Sequence, residues 1–303
     1  MLVSPLVRFS TEATKQAIQR LMKRDSLPGI GRIIITAGNK GGVGKSTVAV
    51  NTALALSEAG MRVGIFDGDV FSPAIPHLVS IVDNQLALTK DKKFIPIPAY
   101  GIETVSVGNG VEQDQALLWK GPFIPQLIAD LLKKAAWPEL DFLVIDAPPG
   151  TGDILMALNE AVPIDGAIVV TTPQAVAVAE AVRNIDCFRK FNIPVVGVVK
   201  NFDGYYSESK NKNFPLFDGE GAVDLCKKFD FELLGSIPAH SSIAKAGETG
   251  FPIFLENPDS TVSQTFRQIA KRVISKVPKR EVKKEEEKVE TETPVEKKEP
   301  ENK

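Results

Sequence analysis

The feature that most constrains this chain is a β-branched run, Arg32 to Ala37, that leads straight into Gly38-Asn39-Lys40-Gly41-Gly42-Val43-Gly44-Lys45-Ser46-Thr47 and then into a helical pattern, Ser46 to Ala59. A strand, a glycine-rich turn and a helix in this order let successive backbone N–H groups point inward, while the helix N-terminus adds its dipole to the same spot. Such a turn binds phosphate. Lys45 is placed to neutralise β- and γ-phosphates, the Ser46 hydroxyl to coordinate Mg²⁺, and the Thr47 hydroxyl and N–H to reach an α-phosphate. Asn39, Lys40, Gly41, Gly42, Val43 and Gly44 complete the cradle. Asn39 stands where the GxxxxGK[ST] pattern has its first glycine, and Asn tolerates positive φ better than most residues, so the loop can close.

The rest of the chain repeats the same alternation. Short apolar runs at Arg62 to Phe66, Glu103 to Val107, Phe142 to Ile145, Ala167 to Val170, Val195 to Val199 and Glu232 to Ile237 predict strands buried on both faces. Apolar spacings of three and four predict helices over Phe123 to Ala135, with Pro122 at the first helical position, Val176 to Phe191, Ala222 to Phe229 and Ser260 to Ser275. The expected fold is α/β: a P-loop nucleoside triphosphatase with a mostly parallel sheet flanked by helices on both faces. Residues 1–30 read as a helical extension (Thr11 to Lys23, then the turn Leu27-Pro28-Gly29), 31–277 as the ATPase domain, and 278–303 as a disordered charged tail. That tail holds nine Glu, eight Lys or Arg and three Val, too little apolar surface to bury a core.

Composition removes several function classes. Thirty-six Lys and Arg against 38 Asp and Glu leave a net charge of -2, without the basic footprint that nucleic-acid binding needs. No secretory signal or membrane span is expected, because Gly166 to Val182, the longest largely apolar stretch, is broken by Thr171, Thr172, Pro173 and Gln174. Two cysteines, Cys187 and Cys226, exclude a disulfide-stapled scaffold and fit a reducing, cytoplasmic compartment.

Lys40 is a second lysine that ordinary P-loops do not require. With it the loop resembles the deviant-Walker ATPases of the MinD/ParA type, and that resemblance implies a homodimer in which Lys40 crosses the interface to the partner's nucleotide. Asp67-Gly68-Asp69 follows the second strand, at the carboxyl end where ligands bind in open α/β sheets, and carboxylates there can position water or the Mg²⁺ shell. The same resemblance gives Asp69 the attacking water, making Lys40, Lys45 and Asp69 the catalytic set, and gives Asp67 support of the metal shell. A turn and a helix cap would use the same two residues. Phe142-Leu143-Val144-Ile145 delivers Asp146 to the site, the arrangement in which a carboxylate holds Mg²⁺ through water, so the metal set is Ser46, Asp67 and Asp146.

Asp67 to Pro76 (DGDVFSPAIP), Trp119 to Pro122 (WKGP), Asp141 to Asp153 (DFLVIDAPPGTGD), Val169 to Gln174, Val199 to Phe202 and Gly235 to Pro238 together resemble the Mrp family of iron-sulfur cluster carrier ATPases. The resemblance implies ATP and Mg²⁺ as cofactors, adenine recognition by Asn201, and iron-sulfur apoproteins or assembly factors as partners. It also implies a Cys-Pro-x-Cys pair just after Asn201, where this chain has Ser207 and Lys210, and an arginine where it has Lys120. The ligand cysteines are absent from that loop, and Cys187 and Cys226 sit in apolar helical settings where a thiol is often a small core hydrophobe. Two functions therefore stay open: an ATP-hydrolysing protein of iron-sulfur cluster assembly or transfer, and a cluster-less, ATP-switched positioning or partner-recruiting protein.

Overall fold

The computed structural model describes residues 26–110, 124–150, 152–210, 212–217 and 219–280. Five parallel strands carry the fold: β1 (Ile33–Ala37), β2 (Val63–Asp67), β5 (Phe142–Asp146), β6 (Gly166–Thr171) and β7 (Val195–Ser207). With β3 (Ile97–Ala99), β4 (Ile102–Ser106), β8 (Lys212–Phe214) and β9 (Leu233–Ala239) they form a nine-stranded sheet of order β3-β4-β2-β5-β1-β6-β7-β8, with β9 also paired to β7. Among these nine strands only β3–β4 and β7–β8 pair antiparallel. Every residue of β1, β2, β5 and β6 is buried, as expected when helices cover both faces.

The period of two divides these strands between two cores. Ile34, Ile65, Val144 and Ile168 join one, beneath α1 (Lys45–Glu58), α7 (Ser241–Thr249), α8 (Ile253–Glu256) and α9 (Thr261–Lys276). Ile33, Ile35, Leu143, Ile145 and Val169 join the other, beneath α3 (Ile124–Lys134), α4 (Asp153–Ala161), α5 (Ala175–Lys190) and α6 (Gly221–Phe229). Helix α1 is buried nearly all round because α9 packs on its outer side. Each fully buried Ile or Val contributes about 1.5–3 kcal/mol relative to exposure. Among the described residues no helix is long and apolar enough to cross a membrane.

The expected strands and helices are all present within a few residues, except that the helix over Thr11 to Lys23 and the stretch with Trp119, Lys120 and Pro122 lie outside the described residues. Four departures have local causes. Strand β7 continues eight residues past Val199, because β8 folds back on it and β9 pairs alongside. Helix α4, absent from the expected helices, starts directly after Gly152 and buries Leu155 and Leu158. The short helix α2 (Ile75–Leu78), with α7 and α8, is held by packing between helices.

The fourth concerns the start of the charged tail. The Arg280 backbone N–H donates to the Gly31 carbonyl at 3.1 Å, and its guanidinium grips the Asp165 carboxylate through Nε at 2.5 Å and Nη2 at 2.6 Å. Lys279 reaches Asp141 at 3.2 Å. The docked chain thus runs through Arg280, two residues past the start of the tail read from composition. Asp165 also accepts the Ile33 N–H at 2.6 Å, so this pair fastens the amino ends of β1 and β6. Truncation after Arg280 is expected to leave the melting temperature unchanged. Arg280→Ala should lower stability by about 1–3 kcal/mol, because a half-buried carboxylate loses its partner; equal melting curves for the two proteins would contradict this.

Candidate functional site

The loop from Gly38 to Thr47 lies at the carboxyl end of the central strand β1 and opens into α1. Gly44 is left-handed, with φ 88°, and a Cβ there would stand 2.2 Å from Asn201 Nδ2. At Gly38 a Cβ would lie 2.6 Å from the Val170 carbonyl. Glycine is required at both positions. Asn201 is 7% exposed and donates from Nδ2 to the Val43 carbonyl at 2.8 Å, so the middle of β7 props the loop. The Asn51 side chain donates to the Thr47 carbonyl at 2.8 Å and accepts the Phe254 N–H at 3.1 Å, tying the first turn of α1 to α8. Ser46 and Thr47 stay half-buried, and Gly41 and Gly42 are exposed with open space around them.

Beside the loop runs a polar row in an otherwise apolar face. Strand register places Ser106, Asp67, Asp146 and Thr36 side by side on β4, β2, β5 and β1, and a spacing of two puts Asp67 and Asp146 on the same face as Ile65 and Val144, toward α1. Asp67 is 0% and Asp146 1% exposed. Asp67 is fully engaged, accepting from the Asp69 N–H at 3.1 Å, the Ile75 N–H at 3.3 Å and the Ser106 hydroxyl at 2.9 Å. Burial, then the neighbouring Asp146 charge, still hold its pKa well above the carboxylate range. Asp146 differs: neither carboxylate oxygen has a hydrogen-bond partner of full geometry. Burial raises its pKa to about 7, with Ser46 and Lys45 pulling it down and Asp69 pushing it up. The Thr36 hydroxyl is buried and unpartnered next to it. An orphaned buried carboxylate facing a serine hydroxyl at a phosphate loop fits a hydrated divalent cation.

A family model described as the NUBPL iron-transfer P-loop NTPase of the ParA group matches residues 29–274. The chain belongs to this family. Its sequence is 38% identical over 261 residues to the iron-sulfur cluster carrier protein of Deinococcus radiodurans, covering 86% of this chain and 74% of that protein. It is 36% identical over 279 residues to the iron-sulfur cluster transfer protein NUBPL of Mus musculus, covering 90% and 87%. Among solved structures it is similar to a nucleotide-binding protein of Archaeoglobus fulgidus in complex with ADP, at 30% identity and TM-score 0.67, covering 78% of this chain and 93% of the other. The septum site-determining protein MinD of Pyrococcus horikoshii, complexed with Mg-ADP, shares the fold at 23% identity and TM-score 0.62, covering 80% and 95%.

In this NUBPL-family chain the two loop residues that depart from an ordinary P-loop are both held by the segment after β6. Lys40 Nζ donates to Gln174 Oε1 at 2.7 Å, and Asn39 Nδ2 donates to Glu180 Oε2 at 2.5 Å. Lys45 is 7% exposed and acts on Asp146 through its charge. Asp69 forms a turn of its own, Oδ1 accepting from the N–H groups of Phe71 and Ser72 at 3.2 Å each. Sequence reasoning gave no role to Gln174, Glu180, Asn51, Ser106 or Thr36. Gln174 alone had a signal, inside the Val169 to Gln174 stretch; the others become visible only through register or contact. Ser207 ends β7, Lys210 stands over the Phe214 ring at 5.5 Å, and neither Cys187 on α5 nor Cys226 on α6 comes to this hairpin, since both pack into the second core. Burial raises both thiol pKa values.

The Asp146 shift fixes a sign. Its folded pKa of about 7 lies above its ordinary value of 3.8, so between these the folded chain keeps a proton that the unfolded chain releases. Stability without nucleotide should therefore fall as pH rises through that window, at up to about 1.4 kcal/mol per pH unit from this group. Denaturant melts of the wild type and Asp146→Asn at a series of pH values check it: the variant should lack this part of the slope, and parallel curves would refute the assignment.

Proposed function

We propose that this chain is an ATP-binding and ATP-hydrolysing switch that acts as a homodimer in iron-sulfur cluster assembly or transfer. The orphaned Asp146 carboxylate beside Ser46 carries the reading, because it supplies at the phosphate loop the charge and the vacant acceptors that a magnesium nucleotide needs. Bound there through Ser46 and, across water, Asp146, Mg²⁺ would neutralise charge on the β- and γ-phosphate oxygens. The loop N–H groups cradle the phosphates, Lys45 balances them, and Thr47 meets the α-phosphate. Asn201, its Nδ2 committed to Val43, would accept the adenine amino group at Oδ1. Asp69 orients the attacking water and Asp67 holds the loop that carries Asp69. Lys40 would leave Gln174 and cross to the partner's nucleotide when two copies meet.

The cluster-transfer role rests on the similarity to iron-sulfur cluster carrier and transfer proteins. The donor set of this chain does not itself fit a cluster: a bridging [4Fe-4S] unit needs four thiolates, whereas the hairpin offers Ser207 and Lys210. Cargo thiolates would come from partner apoproteins or assembly factors. This mismatch also favours the second reading, a cluster-less positioning or partner-recruiting switch. A balanced net charge of -2 supports a protein partner over nucleic acid, and the cysteine usage supports a reducing cytoplasm.

Lys45→Ala should abolish ATP binding in a titration, while Asp69→Ala should keep nucleotide affinity and lose turnover, since water positioning acts on the transition state. Unchanged affinity in the first, or normal hydrolysis in the second, would refute the respective role. Anaerobic reconstitution of the chain alone should yield far fewer than about four irons per dimer. Iron at that level, lost in Cys187→Ser or Cys226→Ser, would overturn the cargo assignment.

A further inference from the structure

The segment from Asp67 to Asn84 contains Asp69, an exposed Phe71 and helix α2, and it is stapled to the sheet at both ends by one short stretch, residues 106–109. At its start, Asp67 closes the loop by accepting from the Asp69 and Ile75 N–H groups. Both of those donors belong to the loop itself. Among the described residues the one donor to Asp67 from outside the loop is the Ser106 hydroxyl, at 2.9 Å on the neighbouring strand. Ser106 Oγ accepts the Gly108 N–H at 3.0 Å and donates its own proton to Asp67 Oδ2. At the far end, Asn109 Nδ2 donates to the carbonyls of Ile81 at 2.6 Å and Asn84 at 2.9 Å.

We propose that Ser106 is a positioning residue for ATP hydrolysis: its hydroxyl orients the Asp67 carboxylate, and through the Asp67–Asp69 and Asp67–Ile75 bonds it fixes where Asp69 stands beside the phosphate loop. This rests on the reading of Asp69 as the residue that orients water. A fully buried carboxylate stays directed only while its donors are in place, and each charge-assisted bond it loses frees the loop it clasps. The effect falls on turnover, since Ser106 lies one residue removed from any group that meets nucleotide.

Ser106→Ala is expected to lower kcat about ten-fold or more with KM and nucleotide affinity changed less than about two-fold, the pattern of a loss confined to the transition state. Ser106→Cys keeps the shape with a weaker donor; it should fall between and serves if the alanine variant does not fold. Thr104→Val removes another buried hydroxyl from the same strand and should leave kcat at the wild-type level. Hydrogen exchange gives a readout independent of activity: the Asp69 and Ile75 amides should exchange about ten-fold faster in Ser106→Ala and stay protected in Thr104→Val. Wild-type kcat in Ser106→Ala, a change in KM alone, or unchanged exchange at the two amides would overturn the proposal. A wild-type protein without ATPase activity would instead remove the reading of Asp69, leaving the exchange result to report on the clasp.

Discussion

A carboxylate taken out of water without a well-formed hydrogen bond is among the costliest things a fold can contain, and Asp146 is such a group. Its position follows from the sheet: β5 is buried on both faces between β1 and β2, so whatever ends that strand is delivered dry to the phosphate loop. The surroundings temper the cost in two ways. Lys45 and Ser46 favour the charged form, and a pKa near 7 lets the group hold a proton when nothing else compensates it. On the proposed reading the site favours a bound cation and nucleotide at the expense of the empty state, as expected where function and stability compete for the same residue.

Around that point the loops divide into those fastened to the sheet and those fastened to one another. Asn201 and Asn51 fix the phosphate loop and the first turn of α1 from β7 and α8. Asp67, Ser106 and Asn109 fix the loop that carries Asp69. Lys40 and Asn39 are held by side-chain bonds to Gln174 and Glu180, in the segment after β6.

The β7–β8 hairpin carries the chain's clearest departure from its relatives' implied chemistry. The register Tyr205↔Phe214 and Tyr206↔Asn213 fixes an aromatic and basic hairpin where thiols were expected by resemblance. Membership of an iron-transfer family and a hairpin without thiolates are compatible if the cargo is gripped from the other side of an interface. Family membership constrains the NTPase core more tightly than it constrains the cargo site.

The phosphate loop, the strand that delivers Asp146 and the strand–helix alternation were legible because each is local: spacing, glycine content and apolar periodicity act over a few residues. The duties of Asp67 and Asn201 were harder to read. In sequence Asp67 looks like a metal or turn residue, but its three donors come from positions two, eight and 39 residues away, and only strand pairing brings Ser106 to it. Asn201 props a loop 158 residues distant. Arg280 looked like tail because its neighbours in sequence are charged, while its partners Asp165 and Gly31 lie far along the chain. By itself the sequence determined that this chain makes a parallel α/β sheet with a phosphate loop at its centre, since propensity and periodicity are properties of neighbours. Which carboxylate is engaged and which is left vacant was decided only by the tertiary structure, because hydrogen bonds to a buried group depend on what the sheet places within about 3 Å of it.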